Sequence, residues 1–192
     1  MNDEEIRLAL EQTQAIRKGH FRLTSGKHSD TYVQCARLME HPRLTNKLAA
    51  EAARRLPEDL EVDLVISPAV GGILFGFAVA TALDKPFIFS ERVNGVMVLR
   101  RAFEIPAGVH VLVAEDVVTT GGSVQEVCEL ARQSGATIAG IVALIDRGGS
   151  RVFSESFYPL LRLEVPSWNA DECGLCKDGV EISSPGSRTI AK

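Results

Sequence analysis

Several features that mark common protein classes are missing or scarce in this 192-residue sequence. Its four cysteines are too few for a disulfide-built scaffold, which predicts a reduced, cytoplasmic protein. Its net charge of −4 does not favour a nucleic-acid partner. It lacks an apolar run of membrane-spanning length, and its start, MNDEEIRLAL, is acidic where a secretory signal would be basic. The length and a hydrophobic fraction of 45% predict one soluble globular domain over 1–192.

Two familiar nucleotide-binding motifs are absent as well. The sequence has no G-x-x-x-x-G-K-[ST], which excludes a P-loop, and no G-x-G-x-x-G after a strand, which excludes the dinucleotide fingerprint. A phosphate site in this chain must therefore use another pattern.

The stretch Val111–Ser123, VLVAEDVVTTGGS, offers such a pattern. Its apolar start predicts a buried strand, which ends in two adjacent carboxylates, Glu115 and Asp116. Gly121 and Gly122 then let the backbone approach an anion where a helix begins and its free N–H groups attract phosphate. The carboxylates would repel that phosphate and suit ribose hydroxyls, a divalent cation or developing positive charge. The stretch therefore predicts a ligand with both a sugar and a phosphate.

Other segments complete a predicted parallel sheet. Strands alternate with helices, and ligands of such sheets bind where the strands end. Three loops are expected to meet there, at Ser67–Gly72, Glu115–Ser123 and Asp146–Gly149. Two of their features have alternatives: Gly71-Gly72 fits a tight turn or a second anion site, and Ser123 could cap its helix in a capping box with Glu126.

The two ends of the chain carry weaker signals. A helix is predicted over 4–16, then a hairpin with strands at 20–23 and 31–37. Its turn, TSGKHSD, is either a solvated turn or a substrate loop, because Lys27 and His28 lie at its tip. From about residue 154 the chain is predicted to be irregular. Cys173 and Cys176 form a C-x-x-C there, either a reduced turn or half of a metal site that a histidine, Cys35 or a dimer mate would complete.

The stretch Val111–Ser123 resembles the phosphoribosyl-pyrophosphate signature of the type I phosphoribosyltransferases. Within that family, Phe21–Ser29 (FRLTSGKHS) is similar to the N-terminal loop of orotate phosphoribosyltransferases, and Ile145–Arg147 to the segment that contacts orotate's carboxylate. Further segments resemble the Thermus-type clade of these enzymes: ERVNG at 91–95, LRR at 99–101, CGLCKDG at 173–179 and PGSR at 185–188.

This resemblance implies a type I phosphoribosyltransferase-like parallel sheet flanked by helices. A small hood, built from the N-terminal hairpin and the C-terminal segment, would cover about 1–40 and 155–192, with the core at about 41–154. The implied reaction joins orotate to phosphoribosyl pyrophosphate in de novo pyrimidine biosynthesis, giving orotidine 5′-monophosphate and pyrophosphate. The alternatives are a purine-base phosphoribosyltransferase and a non-catalytic regulator that senses phosphoribosyl pyrophosphate.

The resemblance also assigns roles to residues. Glu115 and Asp116 would hold the ribose hydroxyls and serve as catalytic residues. Phosphoribosyl pyrophosphate would bind to Ala69, Val70, Gly71, Glu115, Asp116, Val117, Val118, Thr119, Thr120, Gly121, Gly122 and Ser123. Orotate would bind to Ser25, Gly26, Lys27, Tyr32, Thr119 and Arg147. Mg²⁺ would bind through the diphosphate, with no protein side chain assigned to it, and the expected partner is a second copy in a homodimer.

The sequence departs from the family pattern in two loops, the catalytic loop and the N-terminal loop. The usual orotate enzyme closes a mobile loop with lysines and a histidine over the site, whereas residues 90–102 here carry only arginines as cations. We therefore predict that Arg92 or Arg100 is the catalytic cation over the leaving group. The lysine that usually precedes Ser-Gly in the N-terminal loop is Thr24 here, with Lys27 close by.

Overall fold

The computed structural model describes residues 1–185, except for the side chains of residues 150 and 151. Its helices are α1 (Asp3–Gln12), α2 (Ala36–Met39), α3 (Pro42–Arg54), α4 (Gly72–Leu83), α5 (Gly122–Gln133) and α6 (Gly174–Lys177). Its strands are β1 (Ile16–Arg22), β2 (His28–Val33), β3 (Leu64–Pro68), β4 (Phe87–Val93), β5 (Val96–Leu99), β6 (His110–Val118), β7 (Thr137–Asp146) and β8 (Phe157–Arg162). A 3₁₀ turn covers Gly149–Val152. Within this part of the chain no helix is long and apolar enough to cross a bilayer.

Six strands form the main sheet in the order β5-β4-β3-β6-β7-β8. All neighbouring pairs are parallel except β4 and β5, which form an antiparallel hairpin at one edge. The central strands are almost wholly apolar because helices cover both faces, as buried parallel sheets require. The predicted parallel sheet flanked by helices is thereby confirmed.

The helices divide between the two faces of the sheet. Helices α1, α3 and α4 share one apolar core, which includes Leu10, Leu48 and Phe75, whereas α5 packs on the other face through Val124 and Val127. The chain leaves β3 through α4 toward one edge, and leaves β6 through α5 toward the other. The neighbours β3 and β6 thus form a switch point, where open sheets of this kind bind ligands.

A second, two-stranded sheet holds the two ends of the described chain together. Strands β1 and β2 are antiparallel, and the C-terminal segment adds a bridge on each side, from Ser183 to Phe21 and from Trp168 to His28. The hairpin and the C-terminal segment are therefore joined by backbone pairing. The segment PGSR lies outside the described residues beyond Pro185.

The N-terminal helix is shorter than predicted. It ends at Gln12, where the Thr13 hydroxyl bonds back to the carbonyls of Ala9 and Leu10 and Gln14 turns left-handed, at a φ of 59°. Residues from Ile16 therefore belong to β1 rather than to the helix. The prediction of β2 over 31–37 was also displaced, because the strand begins at His28 and the chain turns into α2 after Val33.

The prediction of an irregular chain from about residue 154 was wrong. Strand β8 pairs with β7 at the edge of the main sheet, so residues 157–162 belong to the core sheet and not to the hood. Pro159 hides this strand in the sequence, because proline lacks the N–H that sheet pairing uses. An edge strand tolerates it.

Candidate functional site

The acidic pair lies within strand β6, which continues to Val118 instead of ending before it. The side chain of Glu115 is buried and that of Asp116 is half-buried. The backbone N–H of Asp116 donates to Glu115 Oε1 (3.1 Å), and that of Val117 donates to Asp116 Oδ1 (2.9 Å). Burial and the neighbouring Asp116 charge raise the pKa of Glu115 well above its ordinary value. Two carboxylates are thus held side by side at the switch point.

The end of β6 and the turn after it, from Val117 to Ser123, form a concave cradle that is suited to an anion. A small concavity of about 50 Å³ is lined by Glu115 and by residues 117–124. Gly121 has a φ of 77° and is the N-cap of α5, and no side chain caps that helix. The predicted capping box of Ser123 and Glu126 is therefore not formed, and the first N–H groups of α5 are left for an anion.

The glycine loop after β3 lies directly against the acidic pair. A Cβ added to Gly71 would lie 2.9 Å from Asp116 Oδ1, and one added to Gly72 would lie 2.8 Å from Glu115 Oε1. A side chain at either position would push the neighbouring carboxylate away from its present place, so glycine lets the loop and the acidic pair lie this close together. A groove of about 360 Å³ opens beside this contact, and its lining includes Gln34, Val70, Gly71 and Asp116. The two predicted phosphate loops therefore meet over Glu115 and Asp116.

Arg147 joins the same cluster from the end of β7. Its backbone N–H donates to Val118 O (2.8 Å), which fixes it to the cradle. Its Nε is buried and has no hydrogen-bond partner among residues 1–185. Burial lowers the pKa of Arg147, and the nearby Cys35 and Tyr32 act against that shift. A buried guanidinium N–H without a partner is suited to an anionic ligand.

The predicted orotate residues of the hairpin divide into two groups. Tyr32 lies near Arg147, and its hydroxyl donates to Gln34 Oε1 (2.9 Å) at the edge of the groove. Ser25, Gly26 and Lys27 lie at the exposed turn between β1 and β2, and within the described chain none of their side chains forms a hydrogen bond or an ion pair with the acidic pair. Tyr32 is therefore beside Arg147, whereas the residues of the hairpin tip are open to solvent.

The two candidate catalytic arginines lie on the β4–β5 hairpin and just after it. Arg92 pairs with Glu126 of α5 (2.8 Å) and donates to Gly95 O (2.7 Å). Arg100 is exposed, and its side chain makes no ion pair or hydrogen bond with any residue from 1 to 185. Neither arginine contacts the acidic pair in this conformation.

Cys35 and Gln34 are site neighbours that the sequence did not reveal. Burial and the charges of Asp116 and Glu115 raise the pKa of the Cys35 thiol well above its ordinary value. No motif surrounds these residues, so only the packing of the chain after β2 could show them. A larger depression, of about 810 Å³, lies at the opposite end of the sheet beside Asp63 and His110, where none of the motifs lies.

Comparison with known proteins gives one consistent result. The model of the phosphoribosyl transferase domain matches residues 36–174. The orotate phosphoribosyltransferase of Pelotomaculum thermopropionicum is 47% identical over 99% of this chain and its own full length. That of Thermotoga maritima is 46% identical over 96% of this chain and 99% of its own.

Solved structures of phosphoribosyltransferases are also similar to this chain. The orotate phosphoribosyltransferase of Aeropyrum pernix has a TM-score of 0.70 at 25% identity, covering 82% of this chain and 93% of its own. The adenine phosphoribosyltransferase of Thermoanaerobacter pseudethanolicus has a TM-score of 0.66 at 17% identity, covering 84% of this chain and all of its own, and so shares the fold.

Proposed function

Because this chain belongs to the phosphoribosyl transferase family, among its orotate phosphoribosyltransferases, we propose that it transfers the 5-phosphoribosyl group from phosphoribosyl pyrophosphate to orotate. The products are orotidine 5′-monophosphate and pyrophosphate, and the reaction belongs to pyrimidine biosynthesis. The observation that carries the proposal is the position of Arg147 next to the cradle, where its backbone N–H donates a hydrogen bond to Val118 O. It sets a cation suited to a carboxylate beside a site suited to ribose and phosphate.

The proposed mechanism depends on positioning and electrostatics. The cradle from Val117 to Ser123 holds the 5-phosphate through backbone N–H groups and hydroxyls. Glu115 and Asp116 hold the ribose hydroxyls, and their charge stabilises the oxocarbenium-like carbon as the pyrophosphate bond breaks. Arg147 orients orotate through its carboxylate, a planar fork meeting a planar anion.

Mg²⁺ is proposed as the cofactor, held through the diphosphate oxygens. The structure fits such an ion, because the glycine loop meets two carboxylates at the opening of the groove. When bound, the ion offsets the negative charge of the departing pyrophosphate. The loop from Ala69 to Gly71 supplies backbone groups on the diphosphate side of the acidic pair.

A panel of bases tests the proposed function. The full chain is incubated with phosphoribosyl pyrophosphate and Mg²⁺, and pyrophosphate release is followed with orotate, uracil, adenine, guanine or hypoxanthine. We expect release only with orotate. Release with a purine instead would favour the purine-base alternative, and no release with any base would favour the sensing regulator.

We further propose that the protein works in the cytoplasm as a homodimer, in which the hairpin reaches toward the partner's site. The exposure of the hairpin tip supports this arrangement. Sedimentation equilibrium should give twice the chain mass of 20.8 kDa. A species of single-chain mass at working concentrations would contradict the homodimer.

A further inference from the structure

Four potential metal ligands converge in the hood, away from the site described above. They are His20 on β1, His28 at the start of β2, and Cys173 and Cys176 at the two ends of the α6 turn. One ligand atom from each lies within 4.8 Å of those from the other three. Sequence spacing could not show this group, because more than 140 residues separate the histidines from the cysteines.

We propose that His20, His28, Cys173 and Cys176 form a structural zinc site that fastens the C-terminal segment to the β1–β2 hairpin. A Cys₂His₂ tetrahedron with ordinary zinc distances has edges of about 3.3 Å between nitrogens and about 3.6 Å between nitrogen and sulfur. His20 Nε2 lies 3.2 Å from His28 Nδ1 and 3.5 Å from Cys173 Sγ. Cys176 Sγ lies 3.7 Å from His20 Nε2 and 3.2 Å from His28 Nδ1. These four of the six ligand-to-ligand distances therefore lie within about 0.4 Å of the edges of a zinc coordination shell.

A hydrogen bond to the backbone holds the His20 ring in the tautomer that a metal ligand needs. Its Nδ1 lies 2.8 Å from the carbonyl oxygen of Val180. A carbonyl only accepts, so Nδ1 carries the proton and Nε2 presents its lone pair to the cluster. A second hydrogen bond of this kind is the usual support of a metal-bound histidine.

The burial of the ligands and their chemistry favour a closed structural metal site over a catalytic one. His20, His28 and Cys173 are buried, and Cys176 closes the group on the solvent side. Two sulfurs and two imidazole nitrogens suit zinc, and four protein ligands leave no position for a substrate. The alternative is a metal-free cluster in which the thiols and imidazoles hydrogen-bond to one another.

The composition of the C-terminal segment explains why a metal would be needed. Among residues 164–185, Cys173 is the only buried one, and the segment's regular structure is one short helical turn and two isolated bridges. A segment with so little apolar burial has no core of its own to hold it. Small structural units that lack a sufficient core are often stabilised by a bound metal ion, and a metal could hold this segment in the same way.

The site would also hold the turn between β1 and β2. His20 and His28 flank that turn, which carries the predicted orotate residues Ser25, Gly26 and Lys27. Loss of zinc should therefore loosen a substrate loop as well as the C-terminal segment.

Metal analysis of the intact protein tests the proposal. We expect about one zinc per chain after purification without chelator. Protein stripped of zinc and loaded with Co²⁺ should show the visible absorption of tetrahedral cobalt with a thiolate charge-transfer band. Its Tm should fall on stripping and recover when zinc returns. A protein that holds no zinc after growth in zinc-supplemented medium, and binds neither zinc nor cobalt afterwards, would overturn the site.

Matched cysteine variants locate the metal. Cys173→Ala and Cys176→Ala should lose nearly all bound zinc, whereas Cys128→Ala, a buried cysteine of α5, should keep it. Full zinc in all three variants would overturn the assignment. If the hood variants do not fold, the cobalt spectrum of the unaltered chain still decides. A disulfide between Cys173 and Cys176 in the freshly purified protein would also count against zinc.

Discussion

At the scale of single residues, the acidic pair destabilises the fold, and the proposed function of the pair would explain why it is there. Glu115 is buried beside Asp116, and both burial and the neighbouring charge raise its pKa. A carboxyl group whose pKa is higher in the folded than in the unfolded state destabilises the fold when it is ionised. The charge that would stabilise the transition state therefore opposes folding near neutral pH.

Glu115→Gln is expected to raise the free energy of unfolding by about 1 kcal/mol near neutral pH while greatly reducing turnover. The amide keeps the shape and the oxygen that accepts from the Asp116 N–H, without the buried charge. The gain should shrink as the pH falls through the raised pKa of Glu115, because the unaltered carboxyl then becomes neutral. Urea unfolding across this pH range measures it. The exposed Glu58→Gln serves as control, and a destabilised Glu115→Gln would contradict the argument.

Arg147→Ala should raise KM for orotate by about 10- to 100-fold and change KM for phosphoribosyl pyrophosphate little, because a charged hydrogen bond contributes about 1.5–3 kcal/mol. Arg147→Lys should recover only part of the affinity for orotate that Arg147→Ala loses, since lysine lacks the planar fork. Steady-state kinetics decide, with Arg132→Ala at the far end of α5 as control. Orotate-dependent pyrophosphate release that survives Arg147→Ala unchanged would count against orotate as the substrate.

Gly121→Ala should damage the cradle. Its φ of 77° disfavours any other residue, and the new Cβ would lie 2.7 Å from Val152 Cγ2 and 2.9 Å from Phe153 Cζ. Backbone strain alone costs about 1–2 kcal/mol, and the collision adds to it. Gly108→Ala isolates the strain, because its φ of 83° is similar and its Cβ would meet nothing within 4 Å. We expect thermal unfolding and binding of phosphoribosyl pyrophosphate to suffer more in Gly121→Ala; equal effects would contradict the collision.

At the scale of elements, the β4–β5 hairpin and the residues just after it carry the candidate catalytic arginines. The turn end of the hairpin is tied to α5 through the pair of Arg92 and Glu126, and Arg101 pairs with Glu91. Arg100, which follows β5, has no such tie within the described chain. Because Arg92 and Arg101 are already paired, we predict that Arg100 is the arginine that reaches the leaving group.

Arg100→Ala is accordingly expected to lower kcat by about 10- to 100-fold, the effect of losing one charged contact in the transition state. KM for orotate should stay nearly constant. Arg101→Ala provides the matched control, because it removes an arginine that is already paired. Should Arg92→Ala lower kcat and Arg100→Ala leave it unchanged, the catalytic cation would be Arg92 instead.

At the scale of the whole molecule, one buried carboxylate connects three parts of the chain. Glu51 of α3 accepts from Arg54 and Arg55 and pairs with the N-terminal amine (3.0 Å). Arg55 in turn donates to the carbonyls of Met1 and Leu160. The pKa of Glu51 is lowered far below its ordinary value, first by the hydrogen bond from Arg54.

Glu51→Gln should lower the free energy of unfolding by about 1–3 kcal/mol near neutral pH, because it removes the charge that three cations face. A carboxylate whose pKa falls on folding stabilises the protein above its unfolded pKa of about 4.3. The difference in the free energy of unfolding between the variant and the unaltered chain should therefore be constant near neutral pH and shrink below about pH 4. Chemical unfolding at several pH values tests this. Glu40→Gln, in an exposed pair with Arg37, should change stability by under about 1 kcal/mol.

The parallel sheet, the cradle and the family could all be predicted from the amino-acid sequence. Each depends on neighbours along the chain: apolar strands, an acidic pair, and a glycine turn before a helix. The resemblance to orotate phosphoribosyltransferases rested on such local stretches, and the relatives confirmed it. The individual roles of the site residues stay predictions.

Features that depend on residues far apart in the chain became visible only in the folded protein. Gly71 lies closely against Asp116, and the strand at Phe157–Arg162 exists because β7 offers an edge that tolerates Pro159. The orphaned Nε of Arg147 and the four-ligand cluster of the hood likewise depend on packing between distant segments. Spacing in sequence carries no information about such distances, because folding alone brings these side chains within contact range.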